Sequence, residues 1–147
     1  MRTKQEDFGL TQADGKVILL GEAGVGKSSI AMRLKDNKFV EGGHVPTVGA
    51  AYFQKDLTLQ PKGPGQSDRI MRLHLWDTGG DERFRSVLKL YYRDAIGAIV
   101  CYDMGNSESF NAVKYWIDEI RENTSFEQGG FAMALVGNKC DLPIDKI

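Results

Sequence analysis

The sequence has little of several features that define special classes of protein. Its only two cysteines, Cys101 and Cys140, cannot make a disulfide framework. The sequence has only four prolines, and its 17 glycines cluster at a few places. Since no internal repeat is visible either, it is not a low-complexity chain. The longest apolar runs, such as residues 95–102, are far shorter than the about 20 residues that a membrane-spanning helix needs. These absences leave one ordinary globular domain.

The charges of the chain are almost balanced. Lys and Arg number 19 and Asp and Glu number 20, which gives a net charge of −1. A general nucleic-acid binder carries a basic excess, so we predict no nucleic-acid partner. Residues 1–15 are polar and lack the apolar segment of a signal peptide, so we predict a flexible N-terminal arm. With two unpaired cysteines, this favours a reducing, cytoplasmic location.

The apolar pattern predicts strands and helices that alternate along the chain. Strands are predicted at residues 16–20, 52–59, 69–76, 96–102 and 131–136, and helices at residues 27–36, 81–93 and 107–122. The continuous apolar runs at 96–102 and 131–136 predict buried strands. The Pro- and Gly-rich residues 60–67 predict a long loop that makes 52–59 and 69–76 antiparallel neighbours. The sequence therefore predicts an α/β fold with a mainly parallel sheet and helices on both faces.

A glycine-rich segment carries a phosphate-binding pattern. Residues 21–28 match G-x-x-x-x-G-K-[ST] between a predicted strand and a predicted helix. The glycines let backbone N–H groups surround a polyphosphate, and the start of the helix adds partial positive charge. The Lys can contact the outer phosphates. The predicted nucleotide contacts here are Glu22, Ala23, Gly24, Val25, Gly26, Lys27, Ser28 and Ser29. The pattern alone does not separate ATPases, kinases and GTPases.

A second motif favours guanine as the base. Asn138, Lys139, Cys140 and Asp141 follow a predicted strand, where ligands gather in such sheets. The Asp141 carboxylate can accept two hydrogen bonds from guanine N–H groups, a donor pair that adenine lacks. Asn138 can tie the loop together, and the aliphatic stem of Lys139 can lie against the base.

A third motif, Asp77-Thr78-Gly79-Gly80, supplies candidates for a metal and for the terminal phosphate. Asp77 can hold Mg²⁺ directly or through water, and the Ser28 hydroxyl can be a further ligand. The Gly80 backbone N–H can be offered to the terminal phosphate.

These motifs together resemble those of Ras-superfamily small GTPases, and within that group those of the Rab branch, endosomal Rabs in particular. The resemblance covers about residues 16–143 and includes Trp-Asp-Thr at 76–78, Glu-Arg-Phe-Arg-Ser at 82–86, Tyr-Tyr-Arg at 91–93 and Cys-Tyr-Asp at 101–103. It implies the three-layer P-loop NTPase fold with one antiparallel hairpin strand. It also implies a switch that binds GTP or GDP with Mg²⁺.

The resemblance assigns roles that the residues alone do not. It makes Thr47 a second hydroxyl ligand of Mg²⁺ and places Phe39 edge-on against guanine. It makes Tyr52, Trp76 and Tyr91 a surface aromatic triad read by effectors, and packing in the core is the alternative for these three side chains.

The resemblance also implies partners and a cellular process. Effectors, exchange factors and activating proteins would contact residues 47–52, Trp76 and residues 81–91. The process would be vesicle trafficking and protein transport, and we expect a monomer.

The family residue after Asp-Thr-Ala-Gly is Gln, and this chain has Asp81. The family's Gln positions the attacking water, whereas Asp81 is shorter and carries a charge that faces an anionic phosphate. The resemblance gives Asp81, Gly80, Lys27 and Thr47 the catalytic positions, so we predict a nominal GTPase with slow hydrolysis. Asp81 as a general base is the alternative.

The family continues beyond the point where this sequence stops, with a further strand, a helix and a prenylated tail. We therefore expect residues 16–147 to be a small GTPase domain that is incomplete at its C-terminus, with membrane attachment only in a longer, lipidated parent. Two alternatives stay open: a GTP-loaded effector-binding module without turnover, and a fragment that binds no nucleotide.

Overall fold

The computed structural model describes residues 12–40, 42, 47–60, 63, 68–79 and 85–142, with residues 12 and 85–88 described as backbone only. The strands in this part of the chain are β1 (Gln12–Leu20), β2 (Ala50–Leu59), β3 (Arg69–Thr78), β4 (Ala95–Asp103) and β5 (Ala132–Asn138). The α-helices are α1 (Lys27–Asp36), α2 (Arg85–Tyr92), α3 (Ser107–Asn111) and α4 (Val113–Asn123).

The five strands form one sheet in the order β2-β3-β1-β4-β5. Strands β2 and β3 pair antiparallel, and the other neighbours pair parallel. The predicted mainly parallel sheet with one antiparallel strand is confirmed. The loop predicted at 60–67 lies mostly outside the described residues.

Successive residues of β1 point to opposite faces of the sheet, and both faces are covered. Ile18 packs on one face with Trp116 and Ile120 of α4, and all three side chains are buried. Leu19 packs on the other face with Ala31 of α1. The predicted placement of helices on both faces is therefore confirmed, and the central strand is buried on both sides.

Two element boundaries differ from the prediction. Strand β1 begins at Gln12 and not at residue 16, because residues 12–15 pair with residues 70–73 of β3. These four residues therefore do not belong to a flexible arm, and the rest of that predicted arm, residues 1–11, lies outside the described residues. The predicted helix at 107–122 is interrupted at Ala112, although Ala112 keeps helical dihedrals (φ −70°, ψ −16°).

The prediction that residues 131–136 form a buried strand is wrong in its burial. Strand β5 is the last strand in the sheet order, and Leu135 is 52% exposed. An apolar run of this length fits a central strand and an edge strand equally well, since the period of the pattern does not report the number of neighbours. Among the described helices, none is both long enough and apolar enough to cross a membrane.

Candidate nucleotide and magnesium site

The candidate residues lie at one edge of the sheet. Strands β1, β3, β4 and β5 run parallel, so their C-terminal ends meet at the same edge. The glycine-rich turn follows β1, Asp77 lies near the end of β3, and Asn138 ends β5. Ligands of open α/β sheets bind in this position.

The turn between β1 and α1 depends on glycine at two positions. Gly21 has φ +136°, and a Cβ there would lie 2.2 Å from the Cys101 carbonyl oxygen. Gly26 has φ +99°, and a Cβ there would lie 2.2 Å from the Asn138 amide nitrogen. Only glycine combines these dihedrals with such close neighbours. The turn is thereby packed against the ends of β4 and β5.

Lys27 is held inside this turn. The side chain is 4% exposed, and its Nζ donates to the carbonyl oxygens of Gly21 and Glu22, each at 2.8 Å. Burial lowers the pKa of Lys27, and the Asp77 carboxylate acts in the opposite direction. An anion at the turn would compensate this buried charge. The start of α1 is suited to the same anion, because Gly26 offers no side-chain cap to the helix N–H groups.

Three oxygen-bearing side chains converge beside Lys27. The Ser28 hydroxyl donates to Asp77 Oδ2, and the Ser28 and Thr47 hydroxyl oxygens lie 2.9 Å apart. Asp77 is completely buried, and its Oδ1 accepts no hydrogen bond from the part of the chain that the structure describes. Burial raises the pKa of Asp77, although the Ser28 hydrogen bond and the Lys27 charge act against this rise.

This oxygen cluster fits a magnesium ion. Magnesium is a hard cation that takes oxygen ligands and is usually held by one or two carboxylates together with substrate phosphates. The orphaned Asp77 Oδ1 and the two hydroxyls are donors of that kind. No cluster of three or more His, Cys, Asp or Glu side chains suited to a metal occurs in the described ranges. One carboxylate with two hydroxyls is therefore the donor set available here.

Two residues that the sequence reasoning left without a role hold Thr47 and Asp77 in place. Thr78 is buried, and its hydroxyl donates to the Leu19 carbonyl at 2.6 Å, which joins the ends of β3 and β1. The Gly79 N–H donates to the Gly49 carbonyl at 2.7 Å. A Cβ on Gly79 would lie 2.6 Å from the Thr47 carbonyl oxygen, so glycine permits this approach.

The predicted base-binding loop is tied to the glycine-rich turn. The Asn138 side-chain amide donates to the Val25 carbonyl at 2.9 Å. Lys139 has φ +60°, which is uncommon for a residue with a side chain, and its carbonyl accepts from the Leu142 N–H at 3.1 Å. Asp141 lies in this turn with its side chain exposed.

The comparisons with known proteins agree with this geometry. The model of the Ras family matches residues 16–146. The chain belongs to the Ras family. Within this family it is Rab-like, and the predicted P-loop fold is confirmed together with the resemblance on which it rested.

Three relatives illustrate the similarity. Ras-related protein Rab-5B of Plasmodium falciparum (isolate 3D7) is 48% identical over 128 residues, which cover 87% of this chain and 57% of that protein. Ras-related protein RabC of Dictyostelium discoideum is 43% identical over 127 residues, 86% of this chain and 60% of that protein. Human Ras-related protein Rab-37 is 38% identical over 134 residues, 90% of this chain and 55% of that protein. The chain thus spans between half and two thirds of the length of these relatives.

The structure brings most of the predicted residues of this Ras-family site together, but not all. In the glycine-rich turn, Val25 is buried, Ala23 and Gly24 are exposed, and Glu22, Ser28 and Ser29 are half-buried. Phe39 is 56% exposed and lies beside Arg33 of α1, with 5.9 Å between the guanidinium carbon and the ring centroid. Its contact with guanine stays a prediction. Gly80 and Asp81 lie outside the described residues.

The three aromatic rings expected of a Rab-like chain lie side by side, with Tyr52 exposed and with Trp76 and Tyr91 half-buried against the core. The Trp76 ring centroid lies 5.3 Å from that of Tyr52 and 5.6 Å from that of Tyr91. Tyr52 is 48% exposed, so its ring is not part of the core. The Tyr52 hydroxyl is hydrogen-bonded to His74 Nδ1 at 2.6 Å, and His74 Nε2 lies 2.8 Å from Asp14 Oδ1. Two polar side chains therefore fix the orientation of the exposed ring.

Asp103, like Thr78, is a polar residue of this sheet edge to which the sequence reasoning gave no role in the site. Its carboxylate lies 2.7 Å from the Lys139 ammonium. The available signal was positional, because Asp103 ends an apolar strand as Asn138 does, and Asp77 lies one residue before the end of its strand.

Proposed function

We propose that this chain is a Rab-like switch that binds GTP and GDP together with Mg²⁺. The observation that carries the proposal is the hydrogen bond from Asn138 to the Val25 carbonyl. It joins the loop suited to guanine with the turn suited to phosphates, so that one ligand can occupy both. Asp141 gives the site its preference for guanine, because adenine would leave this carboxylate without its donor pair.

Each residue of the site has a task in this proposal. The Lys27 ammonium and the N–H groups at the start of α1 bind the outer phosphates. Ser28, Thr47 and Asp77 hold Mg²⁺, which neutralises charge on the phosphates. Thr47 belongs to the loop that closes on the triphosphate and relaxes after hydrolysis, as in other nucleotide switches.

Identification of the bound nucleotide tests the proposal. The purified protein is denatured, and the released nucleotide is separated by chromatography. We expect near-stoichiometric guanine nucleotide and no adenine nucleotide. The variant Lys27→Ala is expected to retain less than about a hundredth of the wild-type affinity for GDP, since a buried charge partner of the phosphates is lost.

A matched control for this variant is Lys35→Ala. Lys35 lies in the last turn of the same helix, and its side chain is 47% exposed. We expect wild-type affinity for this variant. A folded wild-type protein that binds no guanine nucleotide under any loading condition contradicts the proposed function.

We further propose that hydrolysis by this chain is slow, because Asp81 stands where the family has Gln. A carboxylate next to the γ-phosphate is repelled by it and cannot donate a hydrogen bond to the water. In single-turnover assays, Asp81→Gln is expected to hydrolyse GTP at least about tenfold faster than wild type. A faster wild type would support Asp81 as a general base and contradict slow hydrolysis.

The same reasoning extends the proposal to a cellular role in vesicle trafficking. The contiguous triad of exposed Tyr52 and half-buried Trp76 and Tyr91 supports effector binding, because aromatic side chains dominate the contact energy of many interfaces. If hydrolysis is negligible, the chain acts as a GTP-loaded effector-binding module. GTP rather than GDP in the released nucleotide would favour this second function.

A further inference from the structure

The carboxylate that ends strand β4 is held by two different groups. Asp103 Oδ1 accepts from the Gly105 N–H at 2.9 Å, and Asp103 Oδ2 lies 2.7 Å from Lys139 Nζ. The Asp103 side chain is 16% exposed and that of Lys139 is 32% exposed, so the ion pair is largely withdrawn from solvent. Such a pair is screened less by salt than a surface pair.

The backbone around Asp103 is fixed by further hydrogen bonds. The Asp103 N–H donates to Ser109 Oγ at 3.0 Å, and the Asn106 N–H donates to the Asp103 carbonyl at 3.0 Å. The Met104 N–H donates to the Asn138 carbonyl at 3.0 Å, which joins the residue after Asp103 to the residue before Lys139. Asp103 is therefore a rigid anchor beside the base-binding loop.

The charges agree with this geometry. Burial alone would raise the pKa of the Asp103 carboxyl. The hydrogen bonds from Lys139 and Gly105 and the positive charge of Lys139 outweigh burial, so the pKa lies below its ordinary value. Asp103 is thus a carboxylate at neutral pH, and Lys139 has a permanent partner.

We propose that Asp103 is a positioning residue for the purine base, acting through Lys139. This inference rests on the proposed function, in which the stem of Lys139 lies against guanine. A lysine side chain loses much rotamer freedom when it is ordered. Asp103 fixes the ammonium in the free protein, so the stem is already ordered when the nucleotide arrives, and the base is bound without that cost.

The test measures the rates at which GDP and IDP dissociate from Asp103→Asn, Lys139→Met and the double variant. Hypoxanthine, the base of IDP, lacks the 2-amino group of guanine. We expect Asp103→Asn to accelerate the release of both nucleotides by about tenfold and by the same factor, because the Lys139 stem contacts the ring and does not read the amino group. In the Lys139→Met background, Asp103→Asn should change the rate by less than about twofold.

Asp118→Asn is the control, since Asp118 forms a more exposed ion pair with Lys114 on α4, and this variant is expected to leave both rates unchanged. An Asp103→Asn effect that persists in the Lys139→Met background would overturn the inference, as would a changed ratio of the GDP and IDP rates.

If Asp103→Asn impairs folding, Asp103→Glu keeps the charge. Release within about threefold of wild type then supports the inference, and faster release overturns it. A wild type that binds neither nucleotide overturns the proposed function itself.

Discussion

At the scale of single residues, the absence of a side chain at Gly26 leaves space for the side chain of Asn138, which is distant in the sequence. The Asn138 amide occupies the position that a Cβ on Gly26 would need. The nearby Gly24 also has a positive φ, +78°, but no heavy atom of the described residues outside its own chain neighbours lies within 4 Å of a Cβ built there. The two positions therefore share a backbone conformation that would strain a residue with a Cβ, and they differ in whether that Cβ would meet another atom.

This difference gives a prediction for the pair of variants Gly26→Ala and Gly24→Ala. We expect Gly26→Ala to raise the Kd for GDP by about tenfold more than Gly24→Ala does, since only the first displaces Asn138 from the Val25 carbonyl. Isothermal titration calorimetry measures both values. Equal losses for the two variants would mean that backbone strain alone explains the requirement for glycine.

The two cysteines differ in environment, and this difference gives a second prediction. Burial raises the pKa of the Cys101 thiol to about 11, whereas Cys140 is exposed beside Asp141. The thiolate is the nucleophile, so iodoacetamide at pH 8 is expected to modify Cys140 and to spare Cys101 in the folded protein. Peptide mass spectrometry identifies the site. Modification of Cys101 at a comparable rate would contradict its burial on the face of the sheet that α1 covers.

At the scale of elements, α3 and α4 contribute unequally to stability. Trp116 of α4 is 1% exposed, and Phe110 of α3 is 52% exposed with its ring edge against Tyr102. We expect Trp116→Ala to lower the free energy of unfolding by about 3–5 kcal/mol and Phe110→Ala by about 1 kcal/mol. Urea denaturation measures both. Similar losses would show that the two helices pack equally.

The secondary-structure elements also show which features the local sequence pattern can predict. Helix α1 was predicted with its observed ends, since the glycine-rich turn precedes it and Asn37, in the left-handed conformation, follows it. The prediction of β5 was right in position and wrong in burial, since Met133 and Leu135 are exposed at the edge of the sheet. The hydrophobic pattern of a strand shows which of its side chains are apolar, but it does not show how many strands lie beside it in the sheet.

At the scale of the whole molecule, a bound ligand stabilises the fold through mass action. At a GDP concentration about 100 times the Kd, the stabilisation is about 2.7 kcal/mol, which corresponds to about 5–10 °C in melting temperature for a domain of this size. We expect this shift with GDP and Mg²⁺ and no shift with ADP and Mg²⁺. An equal shift with ADP would contradict the guanine preference assigned to Asp141.

Removal of the metal provides a further whole-molecule prediction. With excess EDTA, we expect GDP to dissociate at least about tenfold faster, because Ser28 and Asp77 would no longer be linked to the phosphates through the metal. Release of a fluorescent GDP analogue measures the rate. The variant Ser28→Ala should release GDP rapidly with or without EDTA. A wild-type rate that is insensitive to EDTA would contradict the magnesium site.

The candidate groups of the site and the order of the strands and helices along the chain can be predicted from the sequence alone. Glycine spacing, a Lys-Ser pair and the Asn138–Asp141 motif are local features, and the groups that could contact phosphate and base follow from their spacing in the chain. Three contacts depend on the tertiary structure: the hydrogen bond from Asn138 to Val25, the ion pair of Asp103 with Lys139, and the close approach of the Thr47 carbonyl to Gly79. The position of β5 at the edge of the sheet depends on it as well. Asn138 and Val25 are 113 positions apart in the sequence. Local periodicity contains no information about such distances, because the packing of strands sets them.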